Sequence, residues 1–425
     1  MNDVSNGKLF SDELSREIKD LFYYVDKDPH IGQRLFFDNA GGSFRLKKAA
    51  EQFSKIDAIP DCPERIHKMA LHLQKIQKDG TDDVKIIFNA KGGSVVTSLT
   101  ASQAMFEMVR AISENVSGTN MITSVLEHPS AYDPMEYYAK KLGKELRVAK
   151  SNPVTGGVDV DEVVKLVDKD TCLLSVMYAS NISGAIYDIE NIVKKAREIK
   201  PDLYIIVDAV QHVPHDVIDL QKTPVDGINF APYKFFGCRG SGIAWLSDRA
   251  AVLPHHKLIA KKAGEWELGS PAPAHFAVVT EIVNHVCWIG SKFIDSSDRR
   301  ELFACGMTKI ALHERALMSR MFNGTDEIVG LRKMNGVKVF LDYEDFTKKD
   351  FIVAMGFDNL GCTQAVREYE KRGVIVYERL NTSPFSKRML ASFKLDGVIR
   401  VSPLHCNTIA DMDKFLEVTM ELAKL

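Results

Sequence analysis

Short apolar runs alternate with amphipathic segments along the first two thirds of the chain. The runs are rich in β-branched residues and predict strands at 85–90, 120–127, 145–150, 172–180, 203–209, 227–231 and 241–247. Between them, apolar residues recur at helical spacing with Lys, Glu and Asp elsewhere, which predicts helices at 97–113, 131–142, 160–167 and 189–199. Strands that alternate with helices predict an α/β fold built on a mostly parallel sheet.

The rhythm of the chain changes near Gly290. One long helix is predicted at 301–321, and mixed segments follow it at 337–341, 373–377 and 398–401. These segments predict a second, smaller α+β domain. The predicted organisation has three parts, which are an N-terminal arm at 1–35 that packs on the small domain, a large domain at 36–290 and a small C-terminal domain at 291–425.

The composition is that of an ordinary globular protein with room for two cores, since the 425 residues are 45% hydrophobic and 26% charged. Its 55 basic and 57 acidic residues leave a formal charge of −2 at pH 7. Such a balance gives no field that would attract nucleic acid or an anionic membrane. A small neutral or zwitterionic molecule is therefore the expected partner.

The cysteines and the first residues of the chain indicate the cellular compartment of the protein. Seven cysteines are scattered singly, without the close pairs of a zinc site or the density of a disulfide scaffold, so we expect reduced thiols and no metal. Residues 1–8 lack the apolar core of a signal peptide, and no uncharged stretch is long enough to cross a bilayer. These features predict a cytoplasmic protein.

Two charged residues stand where predicted strands end. Lys234 follows the strand at 227–231 and is flanked by three phenylalanines, which would desolvate its ammonium group and lower its pKa toward the neutral amine that attacks aldehydes. Asp208 closes the apolar run at 203–209. In a parallel sheet, both residues would lie in the crevice at the carboxyl ends of the strands, where ligands bind.

This pair of residues matches the needs of pyridoxal 5'-phosphate, which takes an imine-forming amine and a carboxylate at its ring nitrogen. Two plainer explanations compete with this interpretation. A lone lysine after a strand is usually a solvated surface charge, and an aspartate at a strand end often caps the next helix. The flanking phenylalanines, and the spacing of Asp208 to Gln211 and Lys234, favour the cofactor.

Eight short motifs extend the interpretation over nearly the whole chain. They lie, in order, at 36–43, 97–100, 127–128, 180–184, 207–211, 233–234, 267–270 and 398–402. In content and order they resemble the class V aminotransferase family of fold-type I pyridoxal-phosphate enzymes, particularly its cysteine-desulfurase-like and selenocysteine-lyase-like members. The resemblance implies a large cofactor-binding domain with a mostly parallel central sheet and a smaller α+β C-terminal domain.

The resemblance implies roles around the cofactor ring. Lys234 would form the imine and carry protons at the substrate's carbons, Asp208 would keep the pyridine nitrogen protonated, and His128 would stack on the pyridine face. Asn181 and Gln211 would hydrogen-bond the phenolic oxygen. The alternatives are a packed core histidine and ordinary polar residues of a turn and a helix start.

The resemblance also implies contacts to the phosphate. Val96 and Thr97 would meet it at the opening of a helix, where backbone N–H groups bind anions. Many relatives have Ser and His where this chain has Ala231 and Tyr233, so two phosphate contacts are changed, although Tyr233 can still donate through its hydroxyl. Ser270 would reach the phosphate of a neighbouring subunit, which implies a homodimer with active sites at the interface.

On the substrate side, Arg400 resembles the arginine that clamps an α-carboxylate with its bidentate fork, and a structural salt bridge is the alternative. Asn39 is a further candidate contact, which could equally be a turn residue. The matching position for a frequent family asparagine is Ala131, and this leaves the contacts on that side open. The loop at 378–385 is expected to line the pocket for the substrate side chain.

The expected reaction follows from one missing thiol. Cysteine desulfurases take sulfur on a mobile-loop cysteine, but this chain has no cysteine between Cys362 and Cys406. The prediction is a lyase that eliminates a β- or γ-substituent from a small α-amino acid through a quinonoid carbanion. An aminotransferase or an amino-acid epimerase of class V is the first alternative, and a non-catalytic protein that binds pyridoxal phosphate is the second.

Overall fold

Two β-sheets organise the chain, and the computed structural model describes residues 7–425. The strands are β1 (Lys27–Asp28), β2 (Gly32–Gln33), β3 (Leu35–Phe36), β4 (Ser94–Ser98), β5 (Asn120–Ser124), β6 (Glu145–Ala149), β7 (Thr171–Met177), β8 (Tyr204–Asp208), β9 (Gly227–Phe230), β10 (Gly242–Leu246), β11 (Val337–Phe340), β12 (Val353–Phe357), β13 (Val374–Ile375), β14 (Tyr377–Leu380) and β15 (Gly397–Val401).

Helices cover both sheets. They are α1 (Asp12–Asp20), α2 (Lys47–Asp57), α3 (Lys68–Phe88), α4 (Ala101–Asn115), α5 (Pro129–Leu142), α6 (Val160–Val164), α7 (Ile189–Ile199), α8 (Asp248–Ala251), α9 (Pro273–Ser291), α10 (Arg299–Asn323), α11 (Cys362–Lys371), α12 (Lys387–Ser392) and α13 (Ile409–Leu422).

The larger sheet has seven strands in the order β4-β10-β9-β8-β7-β5-β6. Five of them, from β9 to β6, are mutually parallel, and β10 runs antiparallel to both of its neighbours. The four inner parallel strands, β5, β7, β8 and β9, are almost completely buried, as expected where helices cover both faces, whereas the edge strand β6 is partly exposed. Their carboxyl ends therefore meet along one edge of the sheet, and the loops that leave this edge form the site described below.

The smaller sheet is antiparallel, with the strand order β11-β12-β15-β14. A separate short parallel pair joins β3 to β13 and ties the early chain to this region. Helix α10 links the two cores, because Met307 packs in the larger core and Leu317, further along the same helix, packs in the smaller one. The predicted domain boundaries at 35 and 290 stay a prediction, and Gly290 lies next to the last residue of α9.

The N-terminal arm was predicted at 1–35, of which residues 1–6 lie outside the described part of the chain. The remainder contains α1, whose Ile18 is fully buried in the larger core. Lys19 Nζ lies 3.4 Å from Asp411 Oδ2 on α13, so this segment also contacts the C-terminal region. Within residues 7–425, no helix is both long and apolar enough to span a membrane.

Two predicted elements near residue 90 were wrong. The segment 85–90 is not a strand, because it contains the last turn of α3, which ends at Phe88 with Asn89 as its C-cap in a left-handed conformation with φ of 49°. A short apolar run fits a buried helix turn as well as a strand, so its periodicity could not separate the two. The real strand is β4, and the helix predicted from residue 97 begins only at Ala101, with Thr100 as its N-cap.

Candidate active site

A cavity of about 310 Å³ lies where the parallel strands end. Its size falls at the lower end of the range of small-molecule sites, which is about 300–1,000 Å³. Six of the residues predicted from the sequence line it, namely His128, Asn181, Asp208, Gln211, Tyr233 and Lys234. These residues are far apart in the chain and are brought together because β5, β7, β8 and β9 end at the same edge of the sheet.

Lys234 ends a short 3₁₀ turn, Pro232–Lys234, directly after β9. Phe235 and Phe236 behind it are fully buried, as the sequence predicted. Burial and the nearby Arg400 guanidinium lower the pKa of Lys234 to about 8, although the Asp208 carboxylate acts in the opposite direction. A much larger fraction of this amine is therefore neutral near physiological pH than for an ordinary lysine, and the neutral form is the nucleophile.

Asp208 is the last residue of β8 and is buried. Its Oδ1 accepts a hydrogen bond from the Val210 N–H at 3.1 Å, and a turn rather than a regular helix follows, so it is not a helix cap. Burial raises the pKa of this carboxyl, while the Val210 N–H and the positive charge of Lys234 lower it. A cationic ring nitrogen beside Asp208 would add a further partner that favours the ionised form.

His128 caps the N-terminus of α5, with Pro129 at the first helical position. Its Nδ1 accepts the Ser130 N–H at 3.2 Å and lies 2.7 Å from Ser130 Oγ. Burial, and then the positive charges of Lys234 and of neighbouring arginines, lower the pKa of His128 to about 3. The imidazole is therefore neutral, and because Nδ1 accepts, Nε2 carries the proton.

Asn181 and Gln211 are buried and line the cavity. Asn181 Oδ1 and Gln211 Oε1 have no hydrogen-bond partner within residues 7–425. Buried polar atoms are nearly always paired, so two unpaired amide groups on one cavity indicate a polar ligand. An amide can turn to present either its oxygen or its NH2 group, so both side chains fit a ligand that carries a phenolic oxygen.

The helix N-terminus that lines the cavity lies about one turn further along the chain than predicted. Thr100, Ala101 and Ser102, at the N-terminus of α4, line the cavity. Val96 and Thr97 do not, because both belong to β4, where Val96 packs in the core and the Thr97 N–H donates to Glu267 Oε1 at 3.2 Å. The prediction that Thr97 opens the helix was therefore wrong.

Ser270 lies outside the main cavity. With Thr97, Leu99 and Leu268 it lines a neighbouring cavity of about 330 Å³. The sequence assigned it to the phosphate of a second subunit, so its place outside the main cavity of its own chain agrees with that role, which stays a prediction.

Arg400, on β15, is buried and ion-paired. Its Nη2 lies 2.7 Å from Asp38 Oδ1, its Nη1 donates to the Asn181 carbonyl at 3.2 Å, and its Nε has no partner in the described chain. The salt bridge that competed with the substrate role is thus present. It does not exclude that role, because the Nε side of the guanidinium remains free.

Asn39 does not line the cavity, because backbone groups occupy its amide. Its Nδ2 donates to the Ser402 carbonyl at 3.0 Å and to the Phe36 carbonyl at 3.3 Å, and its Oδ1 accepts from the Phe44 N–H at 3.1 Å. The turn alternative therefore describes this residue better than the substrate contact. Its hydrogen bonds hold the loop at residues 38–43, called the entry loop below, against the end of the strand that carries Arg400.

Arg379 lies within the segment 378–385, which was expected to be a loop lining the pocket, but no role was predicted for this residue. The start of that segment belongs instead to β14, and the lining of the main cavity includes none of its residues. Arg379 is only 8% exposed, its Nε has no partner, and its Nη2 donates to the Phe385 carbonyl at 2.8 Å. None of the carboxylates in residues 7–425 lies within 4.0 Å of it. In the register of β14 and β15, Tyr377 is the partner of Arg400, and Arg379 lies two residues after Tyr377. Side chains two residues apart on a strand share a face, so both arginines point to the same face of the sheet. Knowledge of this strand pairing would have identified Arg379.

The two guanidinium groups create an excess of positive charge beside the cavity. Burial and the charge of Arg400 lower the pKa of Arg379 to about 10, and both arginines lower the pKa of Lys234. Asp38 is the one acidic group that forms an ion pair with either arginine in the described structure. One added carboxylate would balance the pair, so the arrangement is suited to binding an anionic group next to the Lys234 amine. No cluster of metal-ligating side chains occurs within residues 7–425.

The chain is similar to known proteins over nearly its whole length. Residues 35–415 match the family model described as Aminotransferase class-V. A probable cysteine desulfurase from Mycoplasma genitalium is 30% identical over 219 residues, which cover 50% of this chain and 52% of that protein. Another from Streptomyces coelicolor is 25% identical over 337 residues, which cover 73% and 76%. The chain spans about half the length of the first curated relatives that it matches.

Solved structures extend the similarity to the fold. The apo structure of a cysteine desulfurase from Thermococcus onnurineus NA1 superposes with a TM-score of 0.79 at 18% identity, and the match covers 96% of this chain and 98% of that one. At this identity the likeness is one of fold. The predicted fold class is confirmed, since a large, mostly parallel sheet stands beside a smaller antiparallel one.

The lowered pKa of Lys234 gives a testable pH dependence. In cofactor-free protein, trace acetylation of Lys234 by acetic anhydride, followed by mass spectrometry of its peptide, should increase with pH around a midpoint near 8. Only the neutral amine reacts, and burial beside Arg400 favours that form. The matched variant Asp208→Asn should shift the midpoint downward, because the carboxylate that stabilises the ammonium is removed. A midpoint at the ordinary lysine value of 10.5 would contradict the described environment.

Proposed function

Because the chain belongs to the class V aminotransferase family, we propose that it is a pyridoxal-phosphate-dependent lyase that acts on a small α-amino acid. The family assignment predicted from the eight motifs is confirmed by the match over residues 35–415. The observation that carries the proposal is the grouping of a depressed-pKa lysine, a buried aspartate and unpaired amides on one cavity. Members of the family are pyridoxal-phosphate enzymes.

The cavity suits this cofactor at each of its functional groups. Lys234 offers a neutral amine to the aldehyde, Asp208 offers a carboxylate to the ring nitrogen, and the neutral His128 ring lies on the same cavity for stacking. Asn181 and Gln211 offer unpaired amides to the phenolic oxygen. When bound, the cofactor supplies an electron sink for negative charge at the substrate's α-carbon.

The substrate's α-carboxylate binds between Arg379 and Arg400 in this proposal. Asp38 already takes one NH2 group of Arg400, whereas Arg379 has no carboxylate partner within the described residues. A carboxylate placed between the two guanidinium groups gives two positive and two negative charges. This balance removes the cost of an uncompensated buried cation and orients the amino acid toward Lys234.

Elimination requires a base at the α-carbon and a route for the leaving group. Lys234 takes the α-proton, and the bond from the β-carbon to its substituent breaks with its electron pair. The unsaturated product then hydrolyses to a 2-oxo acid and ammonia. A small substrate with a sulfur- or halogen-bearing β-carbon fits this chemistry, because such substituents leave as stable anions.

The loop after β14 favours elimination over a persulfide relay. It carries no cysteine, it is held to β14 by Arg379 Nη2 on the Phe385 carbonyl at 2.8 Å, and the helix that follows it, α12, is held by Arg388 Nη2 on the Glu127 carbonyl at 2.8 Å. The Arg388 guanidinium also lies 3.6 Å from the centre of the Tyr132 ring. A pinned loop without a thiol cannot accept sulfur from the substrate and pass it to a partner.

In this proposal, the protein is a homodimer and lies in the cytoplasm. Family members are typically homodimers that act on amino acids. Leu99 and Leu268 are 75% and 53% exposed at the cavity that contains Ser270, and clustered exposed apolar side chains are typical of an interface. A second copy placed there would bring Ser270 toward the neighbouring phosphate. The seven cysteines are free thiols, which supports a reducing compartment.

A panel of amino acids tests the proposed reaction. Cofactor-loaded protein, incubated without any 2-oxo acid, should release ammonia and a 2-oxo acid over many turnovers from cysteine or 3-chloroalanine. Lys234→Ala should abolish this release, because the base is absent. Conversion that stops after one equivalent and resumes when a 2-oxo acid is added would indicate an aminotransferase. A change of optical rotation without ammonia would indicate an epimerase, and either result would contradict the lyase.

The two arginines should affect the substrate and the cofactor differently. Loss of a hydrogen-bonded charge pair costs about 1.5–3 kcal/mol, so Arg379→Gln should raise KM roughly 10- to 150-fold while the Kd for pyridoxal phosphate changes less than about threefold. Arg367→Gln is the matched control, since Arg367 is exposed on α11 and forms no ion pair in the described chain. Equal losses of substrate and cofactor binding would show that Arg379 acts through the fold.

A further inference from the structure

The stretch of chain directly before Lys234 offers few side-chain donors to the phosphate of the proposed cofactor. The segment before Lys234 carries Ala231, which has no hydroxyl group, and Tyr233, whose ring is covered by a guanidinium. The phosphate of a bound cofactor therefore needs donors from elsewhere, and the inference that follows rests on the proposed function.

Ser241 supplies one unpaired hydroxyl donor at the end of the cavity where α4 begins. It is 4% exposed, it lines the cavity, and its Oγ has no hydrogen-bond partner within residues 7–425. The next residue, Gly242, lies directly against the start of α4, because a Cβ atom built on it would be 2.1 Å from the Ala101 nitrogen. Ser241 is thus adjacent to the first turn of α4.

The first turn of α4 adds backbone donors. Thr100 caps the helix by accepting the Gln103 N–H, whereas the N–H groups of Ala101 and Ser102 have no acceptor among the described residues. Thr100, Ala101 and Ser102 all line the same cavity as Ser241. Free N–H groups at a helix N-terminus bind phosphate oxygens, and an unpaired buried hydroxyl beside them indicates that an anion completes the group.

Arg239 supplies the positive charge. It lines the cavity, and its guanidinium carbon lies 4.3 Å from the centre of the Tyr233 ring. Its Nη2 comes close to Gly42 in the entry loop, since a Cβ atom on Gly42 would be 2.9 Å from it. No carboxylate pairs with Arg239 in the part of the chain that the structure describes, so its two NH2 groups are available to an anionic ligand.

We propose that Arg239 and Ser241 bind the phosphate of the cofactor together with the N-terminus of α4, because Ala231 and Tyr233 leave that phosphate without small side-chain donors in the segment before Lys234. Stacking on Tyr233 holds the Arg239 guanidinium group at the cavity wall. A phosphate monoester carries up to two negative charges, which the planar NH2 groups of a guanidinium can bind. Tyr233 thus acts as a support for Arg239.

The test compares two ligands that differ only in the phosphate. Cofactor-free protein is titrated with pyridoxal phosphate and with pyridoxal, and binding is followed by visible absorbance. Arg239→Ala should raise the Kd for pyridoxal phosphate about tenfold or more, as expected when a charged hydrogen bond is removed, while the Kd for pyridoxal changes less than about twofold. Arg239→Lys should recover part of the affinity, and Ser241→Ala should give a smaller, equally selective effect.

The control is Arg367→Ala, on the exposed face of α11, which should leave both titrations unchanged. Unchanged affinity for pyridoxal phosphate in Arg239→Ala would overturn the inference, and so would an equal loss for both ligands, which would indicate damage to the fold. Unmodified protein that binds both ligands equally well would overturn the phosphate subsite alone. Unmodified protein that binds neither would overturn the proposed function as well.

Discussion

The site depends on one electrostatic constraint, which is the burial of an amine next to a carboxylate at the ends of adjacent strands. Asp208 and Asn229 are register partners on β8 and β9, and Lys234 follows in the turn after β9. Burial pushes both groups toward their neutral forms, while each favours the charged form of the other. The amine stays reactive because Arg400 adds to the effect of burial and outweighs the carboxylate.

The two sheets contribute different halves of the site. The groups that suit the cofactor come from loops of the large sheet, whereas Arg379 and Arg400 come from β14 and β15 of the small one. Asp38 joins the halves, because it lies in the entry loop and holds the guanidinium of Arg400. In the proposed function, the position of the small sheet would set where a substrate carboxylate lies relative to Lys234. Mutations in the small sheet are for this reason expected to affect substrate binding more than cofactor binding.

The sequence predicted the site residues that follow the ends of parallel strands, but it misplaced or missed residues whose position depends on how strands and loops pack. Lys234 and Asp208 could be placed because apolar runs mark parallel strands, whose carboxyl ends form the crevice. Thr97 was misplaced because β4 could not be told from the start of α4 in a short apolar stretch. Arg379 looks like a surface charge until its strand is paired with β15, and Asn39 looks available until its backbone partners are known.

The most direct test is the identity of the lysine that holds the cofactor. Purified protein is loaded with pyridoxal phosphate, reduced with borohydride, digested and mapped by mass spectrometry. The visible absorbance is expected to bleach, and one pyridoxyl group is expected on Lys234. A label on Lys349, another buried lysine whose pKa is lowered to about 8 by burial, or no label at all, would contradict this assignment.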